Sequence, residues 1–193
     1  MKKLTPTLII LIILAAAAAW VGKTYNSLVK VDESVTAAWS QVENVYQRRA
    51  DLIPNLVATV KGYAEHESST LEAVVAARSK VGQVNVNDLS EQSIKEFQDA
   101  QSELSSTLSR LLVVVEQYPD LKANQGFLDL QAQLEGTENR IATERQNFNN
   151  VAKAYNTTVR TFPTNIVAGI FNFDTKGYFT AAEGADQAPV VAF

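Results

Sequence analysis

The chain has 193 residues, 46% of them hydrophobic and 20% charged, with 17 basic against 21 acidic residues and a formal net charge of −4. Cysteine is absent and histidine occurs once, which excludes disulfides, thiolate metal sites, cysteine nucleophiles and a lipid anchor on cysteine, and leaves little for zinc or haem. Apart from Lys2 and Lys3, 15 basic residues face 21 acidic ones, so the polar part repels phosphate backbones: nucleic acid is not an expected partner, and any lipid contact is expected through apolar surface.

In chain order, residues 1–3 form a basic flank and residues 4–22 carry no charge. As a helix that run reaches about 28 Å, roughly one bilayer core. Two readings stand for it: a cleaved signal peptide, with residues 8–14 as its apolar core and alanines 15–19 before the cut, or a retained transmembrane helix. The run is longer than a usual signal core, which favours retention. Lys2 and Lys3 against Lys23 and Lys30 favour an inside amino terminus and a domain outside the cytoplasm, in the inner membrane of a bacterium. Small residues let membrane helices approach closely, so Ala15 and Ala19 mark an expected self-association face.

The helical pattern continues past the run without a loop. Leu28, Val35, Val42, Arg49, Leu56 and Tyr63 recur at steps of seven, as in a coiled coil, with Val31, Ala38, Val45, Leu52 and Thr59 as a second seam. Trp39, Tyr46, Ile53 and Val60 widen this to a core-facing stripe, where the two aromatics read as packing. Pro54 predicts a bend over residues 50–54, with Asp51 capping a restarted helix. Ser69 with Glu72 and Asp88 with Glu91 read as capping boxes that open the next two helices, joined by a turn-rich link over residues 82–87. The second of these helices buries Ile94, Phe97, Leu104, Leu108, Leu111 and Val115 and stops at Tyr118-Pro119. The last long helix has Phe127, Leu134, Ile141, Phe148, Tyr155 and Phe162 at steps of seven.

These elements predict an all-α fold: an elongated antiparallel bundle over residues 23–180, continuous with the transmembrane helix. Residues 163–180 form an apolar cluster that either closes one end of the bundle or offers Phe171, Phe173, Tyr178 and Phe179 to a lipid or an envelope-protein partner. Residues 181–193 read as a flexible tail.

The run Ala38-Trp39-Ser40-Gln41-Val42-Glu43-Asn44-Val45-Tyr46-Gln47-Arg48-Arg49 resembles the LemA family. So do Asp51-Leu52-Ile53-Pro54-Asn55-Leu56-Val57, Lys61-Gly62-Tyr63-Ala64, Tyr118-Pro119-Asp120-Leu121-Lys122-Ala123-Asn124, Leu134-Glu135-Gly136-Thr137-Glu138-Asn139-Arg140-Ile141, Tyr155-Asn156 and Phe162-Pro163. The resemblance spans residues 25–179. It implies a bacterial single-pass envelope protein with a long-helix bundle, without established catalysis and without catalytic residues to carry over. One branch of the family is implicated in building magnetosome membranes.

Among individual residues, Arg49 stands where the seam expects an aliphatic side chain. Three readings remain: an ion pair with Glu138 or Glu144, a ligand-binding arginine, or a side chain solvated at the bend. Glu135, Glu138, Asn139 and Arg140 cluster within a turn and read as interhelix polar register, with carboxylate chemistry or a divalent metal as the alternative. His66, between Glu65 and Glu67, is expected to be exposed near a helix end. No phosphate loop, nucleophile elbow or serine–histidine arrangement is present, so no cofactor and no enzyme activity are expected. The leading expectation is a membrane-anchored scaffold that forms homo-oligomers and shapes the cell envelope. An adaptor for another envelope protein, such as a membrane protease, is the alternative.

Overall fold

A computed structural model describes residues 6–64, 66–86 and 88–181. The basic flank 1–3 and the tail from 182 onward lie outside the described residues. Helix α1 runs unbroken from Pro6 to Lys61, 56 residues or about 84 Å at 1.5 Å per residue. Its first fifteen residues, 6–20, are exposed, Val21 is partly covered, and Leu28 is the first residue fully buried. This is the one described helix long and apolar enough to cross a membrane.

Pro54 does not break α1, which corrects the expected restart. Proline cannot donate to the carbonyl four residues back, so the Ala50 carbonyl loses its helical partner. Arg78, from the neighbouring helix, supplies the replacement: its Nε donates to the Ala50 oxygen at 2.9 Å. Asp51 caps nothing and instead accepts from Gln47 Nε2, one turn back, at 2.8 Å.

Helix α2 (Ser68–Val81) begins one residue before the expected Ser69 cap and has no side-chain cap. Helix α3 (Glu91–Val115) is capped by Ser90, not Asp88: the Ser90 hydroxyl accepts from the Ser93 amide at 3.2 Å. Asp88 buttresses that cap, accepting from the Ser90 amide at 3.0 Å and the Ser93 hydroxyl at 2.7 Å. Pro119 opens a one-turn helix, α4 (Pro119–Lys122), rather than only closing α3. Helix α5 (Gln125–Arg160) starts at an Asn124 cap on the Phe127 amide, 3.0 Å, and α6 is Thr164–Ile170. No strand occurs among the described residues.

The helices run alternately up and down. Tyr118 of the α3–α4 link donates to Glu67 at the start of α2, and Asn124 donates to Tyr63 at the end of α1, at 3.1 and 3.0 Å. The distal end therefore holds α1, α2, α3 and α5 around Ile53, Leu56, Val74, Leu104, Leu111 and Phe127. Towards the apolar end of α1, helix α2 has ended. The linker residues Val84, Val86 and Leu89 and the returning Phe179 close the core there, around Leu28, Val35, Val42, Phe148 and Tyr155.

The first predicted seam is the core: Leu28, Val35, Val42 and Leu56 have no exposure. The second seam is only half right. Val31, Val45, Leu52 and Thr59 are partly exposed, whereas Trp39, Tyr46, Ile53 and Val60 are buried. A helix with neighbours on two sides buries a broader stripe than a two-helix seam, centred between i and i+4. Tyr63 and Phe162, the outermost members of their heptad series, are exposed because those series outrun the core.

Two outcomes follow. Arg78→Met leaves the Ala50 carbonyl unsatisfied and destabilises by about 1–3 kcal/mol. In a Pro54→Ala background that carbonyl regains an amide, so chemical denaturation of the four forms should show a much smaller loss; equal losses in both backgrounds would refute the replacement. The second concerns Asp88, whose carboxyl the Ser93 hydroxyl and the Ser90 backbone amide pull down from 3.8 to about 2. Its folded value lies below its unfolded one, so its stabilising contribution is complete at neutral pH and is lost as pH falls from 3.8 towards about 2. An NMR titration of the Asp88 carboxylate with its midpoint at the ordinary value would show that the buttress is absent.

Candidate functional site: a buried arginine layer and a C-terminal strap

Arg49 lies between the two halves of the core, one helical turn above Tyr46 and one below Ile53, and is 1% exposed. A buried guanidinium is tolerated only if its charge and its N–H groups find partners. Its Nη1 donates to Glu138 Oε1 at 2.7 Å and to Ser105 Oγ at 2.8 Å. Its Nη2 donates to the Gln101 side-chain oxygen and, more weakly, to the Gln101 carbonyl at 3.4 Å. The guanidinium also lies 5.1 Å from the Tyr46 ring centre. Burial raises the Tyr46 phenol above its ordinary value, although Arg145 and Arg49 pull the other way.

The layer thus joins α1, α3 and α5. Glu138 is its acidic member and remains 47% exposed at the rim. Glu144 stands outside it and accepts from Asn147 Nδ2 at 3.3 Å. Glu135 accepts from Gln131, one turn back, at 3.4 Å. His66 is exposed in the turn between α1 and α2. Shallow clefts flank the layer, one of about 390 Å³ bordered by Glu43, Tyr46, Arg78 and Gln101, and one of about 500 Å³ bordered by Ser105, Leu134, Glu135 and Glu138. Among the described residues no group of three or more histidine, aspartate or glutamate side chains converges as metal ligands do.

The apolar segment after α5 does two different things. Residues 164–173 pack on α1 and α5 beside Tyr25, with Phe171 and Phe173 ring centres 4.8 and 5.7 Å from that of Tyr25. Residues 174–181 then run back along α5 as an extended strap. The expected surface patch is therefore divided. Phe179 is only 5% exposed, in a box of Trp39, Phe97 and Phe148 with ring centres 5.6–6.5 Å from its own. Phe173 is half-buried, and Tyr178 accepts from Asn156 Nδ2 at 2.8 Å. Phe171 keeps an exposed face.

Three amide side chains hold the strap as a neighbouring strand would. Asn156 gives and takes one hydrogen bond with the Lys176 backbone, both 2.8 Å. Asn149 does the same for Phe179, at 2.8 and 2.9 Å, and Gln98 for Thr180, at 3.1 Å each. The spacing is physical. Seven residues of helix rise about 10.5 Å and three residues of extended chain about 10 Å, so asparagines a heptad apart meet strap residues three apart.

Charge and backbone lock the ends of the strap. Lys176 Nζ lies 3.0 Å from Asp32 Oδ1 and over the Tyr155 ring at 5.3 Å. Burial, then Asp32 and Asp174, push the Tyr155 phenol far up. The Gly177 amide donates to the Leu89 carbonyl at 2.8 Å. A Cβ on Gly177 would sit 2.6 Å from Glu91 Cα and 2.9 Å from the Ser90 oxygen, so only glycine fits there. The strap thereby presses on Leu89, which has a left-handed φ of 52°.

Sequence reasoning gave no role to Gln101, Ser105, Asn149, Asn156 or Gly177, although Tyr155-Asn156 belongs to the family pattern. One signal was available: Asn149 and Asn156 each follow a core aromatic, Phe148 and Tyr155, at the same seven-residue step.

Two variants test this geometry. A wholly buried pair loses roughly 3–5 kcal/mol when one partner goes, and the exposure of Glu138 cuts that to roughly 1–3 kcal/mol for Glu138→Leu. In an Arg49→Met background no buried charge remains to be stranded, so the same change should cost little; additive losses in denaturation would show that the two do not act as a pair. Gly177→Ala should unseat the strap, shifting Trp39 emission to the red while the helical circular dichroism persists. Unchanged emission would show that the strap tolerates a Cβ.

The sequence model of the LemA family matches residues 38–193, which contain Arg49, Gln101, Glu138, Asn149, Asn156 and the strap. Protein LemA of Metamycoplasma hominis is 28% identical over 158 residues, covering 82% of this chain and 69% of its own. Magnetosome protein MamQ 2 of Paramagnetospirillum magneticum and magnetosome protein MamQ of Magnetospirillum gryphiswaldense are each 27% identical over 186 residues, covering 86% of this chain and 68% of theirs. With most of the chain matched and the bundle and its buried layer inside the matched region, this protein is a member of the LemA family.

Proposed function

We propose that this protein is a non-enzymatic, membrane-anchored helical scaffold that self-associates and organises the bacterial cell envelope, with its bundle outside the cytoplasm. The observation that carries this reading is the continuity of α1: residues 22–26, where a membrane anchor usually passes into a flexible stalk, lie inside one helix from Pro6 to Lys61. A bundle rigidly joined to its anchor copies the orientation of that anchor. Neighbouring copies in one bilayer then stand parallel and in register, as a lattice requires. The exposed alanines at positions 15 and 19 lie on one helix face and allow close approach of two such anchors.

The polar groups of the bundle support a structural role over a catalytic one. Arg49, Gln101, Ser105 and Glu138 are occupied with one another, and in the cleft beside them the Ser105 and Ser109 hydroxyls donate to the backbone carbonyls of Gln101 and Ser105, at 3.1 and 2.9 Å, rather than to Glu135 or Glu138. The magnetosome proteins among its relatives lend support to a setting at a membrane. The adaptor alternative keeps only part of the patch first assigned to it: Phe179 is a core residue, whereas Phe171 and Tyr178 remain exposed.

Chemical crosslinking and native mass measurement of the full chain in mild detergent should give oligomers, and Ala15→Leu with Ala19→Leu should reduce them. A monomer under both measurements would sink self-association.

A further inference from the structure

We propose that α6 and its flanks form a second membrane contact, an interfacial segment whose apolar face enters the headgroup boundary of the bilayer that α1 crosses. This rests on the reading of α1 as a retained membrane span. The segment 161–173 contains no aspartate, glutamate, lysine or arginine, although Arg160 and Asp174 bound it directly. One side of α6, Val167 and Ala168, is buried against the bundle. The other presents Ile166 and Ile170, four apart and therefore on one helical face, at 51% and 65% exposure, and Phe162, in the turn that precedes α6, is 76% exposed. Phe171 adds to the same end. Elsewhere on the bundle, Val113 and Leu128 are exposed on α3 and α5, and Val75 borders a separate apolar cleft with Val57 and Leu71.

Position identifies the occupant. The Phe171 ring lies 4.8 Å from that of Tyr25, and Tyr25 is three residues, about 4.5 Å of helix rise, beyond Gly22, where the uncharged run ends. Each headgroup layer is about 5–8 Å thick, so Tyr25 and the rings against it fall inside that layer when residues 4–22 fill the hydrocarbon core. Val21, still within the run, is already partly covered by the membrane-proximal core. Trp20, exposed near the end of the span, is the residue type that anchors at this boundary. An uncharged face also suits an acidic domain, which gains nothing from approaching anionic headgroups through charge. The consequence is mechanical. One helix leaves a bundle free to tilt and spin in the membrane, whereas a second contact beside it fixes both.

The absence of cysteine from the chain makes site-specific labelling direct. Ile166→Cys and Ile170→Cys carry a fluorophore, with Leu11→Cys as the control inside the span and Val113→Cys as the control in water. The full chain is reconstituted in phosphatidylcholine–phosphatidylglycerol vesicles containing lipids with a nitroxide either near the headgroup or near the chain end. Labels at 166 and 170 should lose emission chiefly to the headgroup-proximal nitroxide, the label at 11 should lose emission to the chain-end nitroxide, and the label at 113 should be unaffected. Unquenched labels at 166 and 170 beside a quenched label at 11 would overturn the interfacial contact and leave the span intact. If those unquenched labels also crosslinked between copies, the face would belong to a second molecule. An unquenched label at 11 would remove the span and this inference together.

Discussion

One helix passes from a wholly exposed apolar stretch into a packed core without a joint, and the rest of the structure is referred to that constraint. Over residues 6–20 α1 faces outward on every side, as a helix in lipid does, and from Leu28 onward it carries the central stripe of a bundle core. A flexible link between these parts would let the bundle wander. The unbroken helix instead places every layer of the core at a set distance from the apolar end of α1, since each residue adds 1.5 Å. Even Pro54 is absorbed: the hydrogen bond it removes is remade from α2 by Arg78, at the cost of tying α2 to that turn of α1.

The Arg49 layer decides which turn of each helix meets which. Burying a guanidinium is not the cheapest way to fill a seam position, and an aliphatic side chain there would cost less desolvation. What the layer provides is discrimination. Sliding α5 by one turn so that Leu134 took the place of Glu138 would leave the charge without its carboxylate, an error far larger than a misplaced leucine would cause. Two apolar cores that are individually tolerant of slippage are thereby held in a single register.

The strap solves a different problem. Helix α2 is short, so below it the groove between α1, α3 and α5 would expose Trp39, Phe97 and Phe148. An extended chain fills that groove with Phe179, but extended backbone brings unpaired amides and carbonyls into a half-buried place. Asn156, Asn149 and Gln98 supply the missing partners, one side-chain amide per strap residue. Beta pairing without a second strand is possible because a primary amide carries one donor face and one acceptor, like a peptide unit.

The helices, their heptad stripes and the apolar run were legible in the chain, because hydrophobic period reports local geometry directly: Leu28, Val35, Val42, Ile94, Phe97, Phe148 and Tyr155 all lie where their spacing puts them. The oddity of Arg49 was legible too, since a charge at a seam position stands out against the five aliphatic and aromatic members of its series. The caps at the starts of α2 and α3 were each misplaced by two residues: the cap position of α2 falls at Glu67, without a side-chain cap, and at α3 serine and aspartate side chains compete for the same backbone groups and only the folded chain selects between them. The satisfied proline, the acidic residue on α5 that meets Arg49, and the fate of Phe179 depended on contacts between segments far apart in sequence. Such contacts are chosen by packing and by the pairing of buried polar groups, and no periodicity within one helix encodes them. What the sequence determined alone was a long amphipathic rod with an apolar end; the tertiary structure decided that its C-terminal segment both seals the groove and brings an uncharged face beside the apolar end of α1, because only the closed bundle places Phe171 against Tyr25.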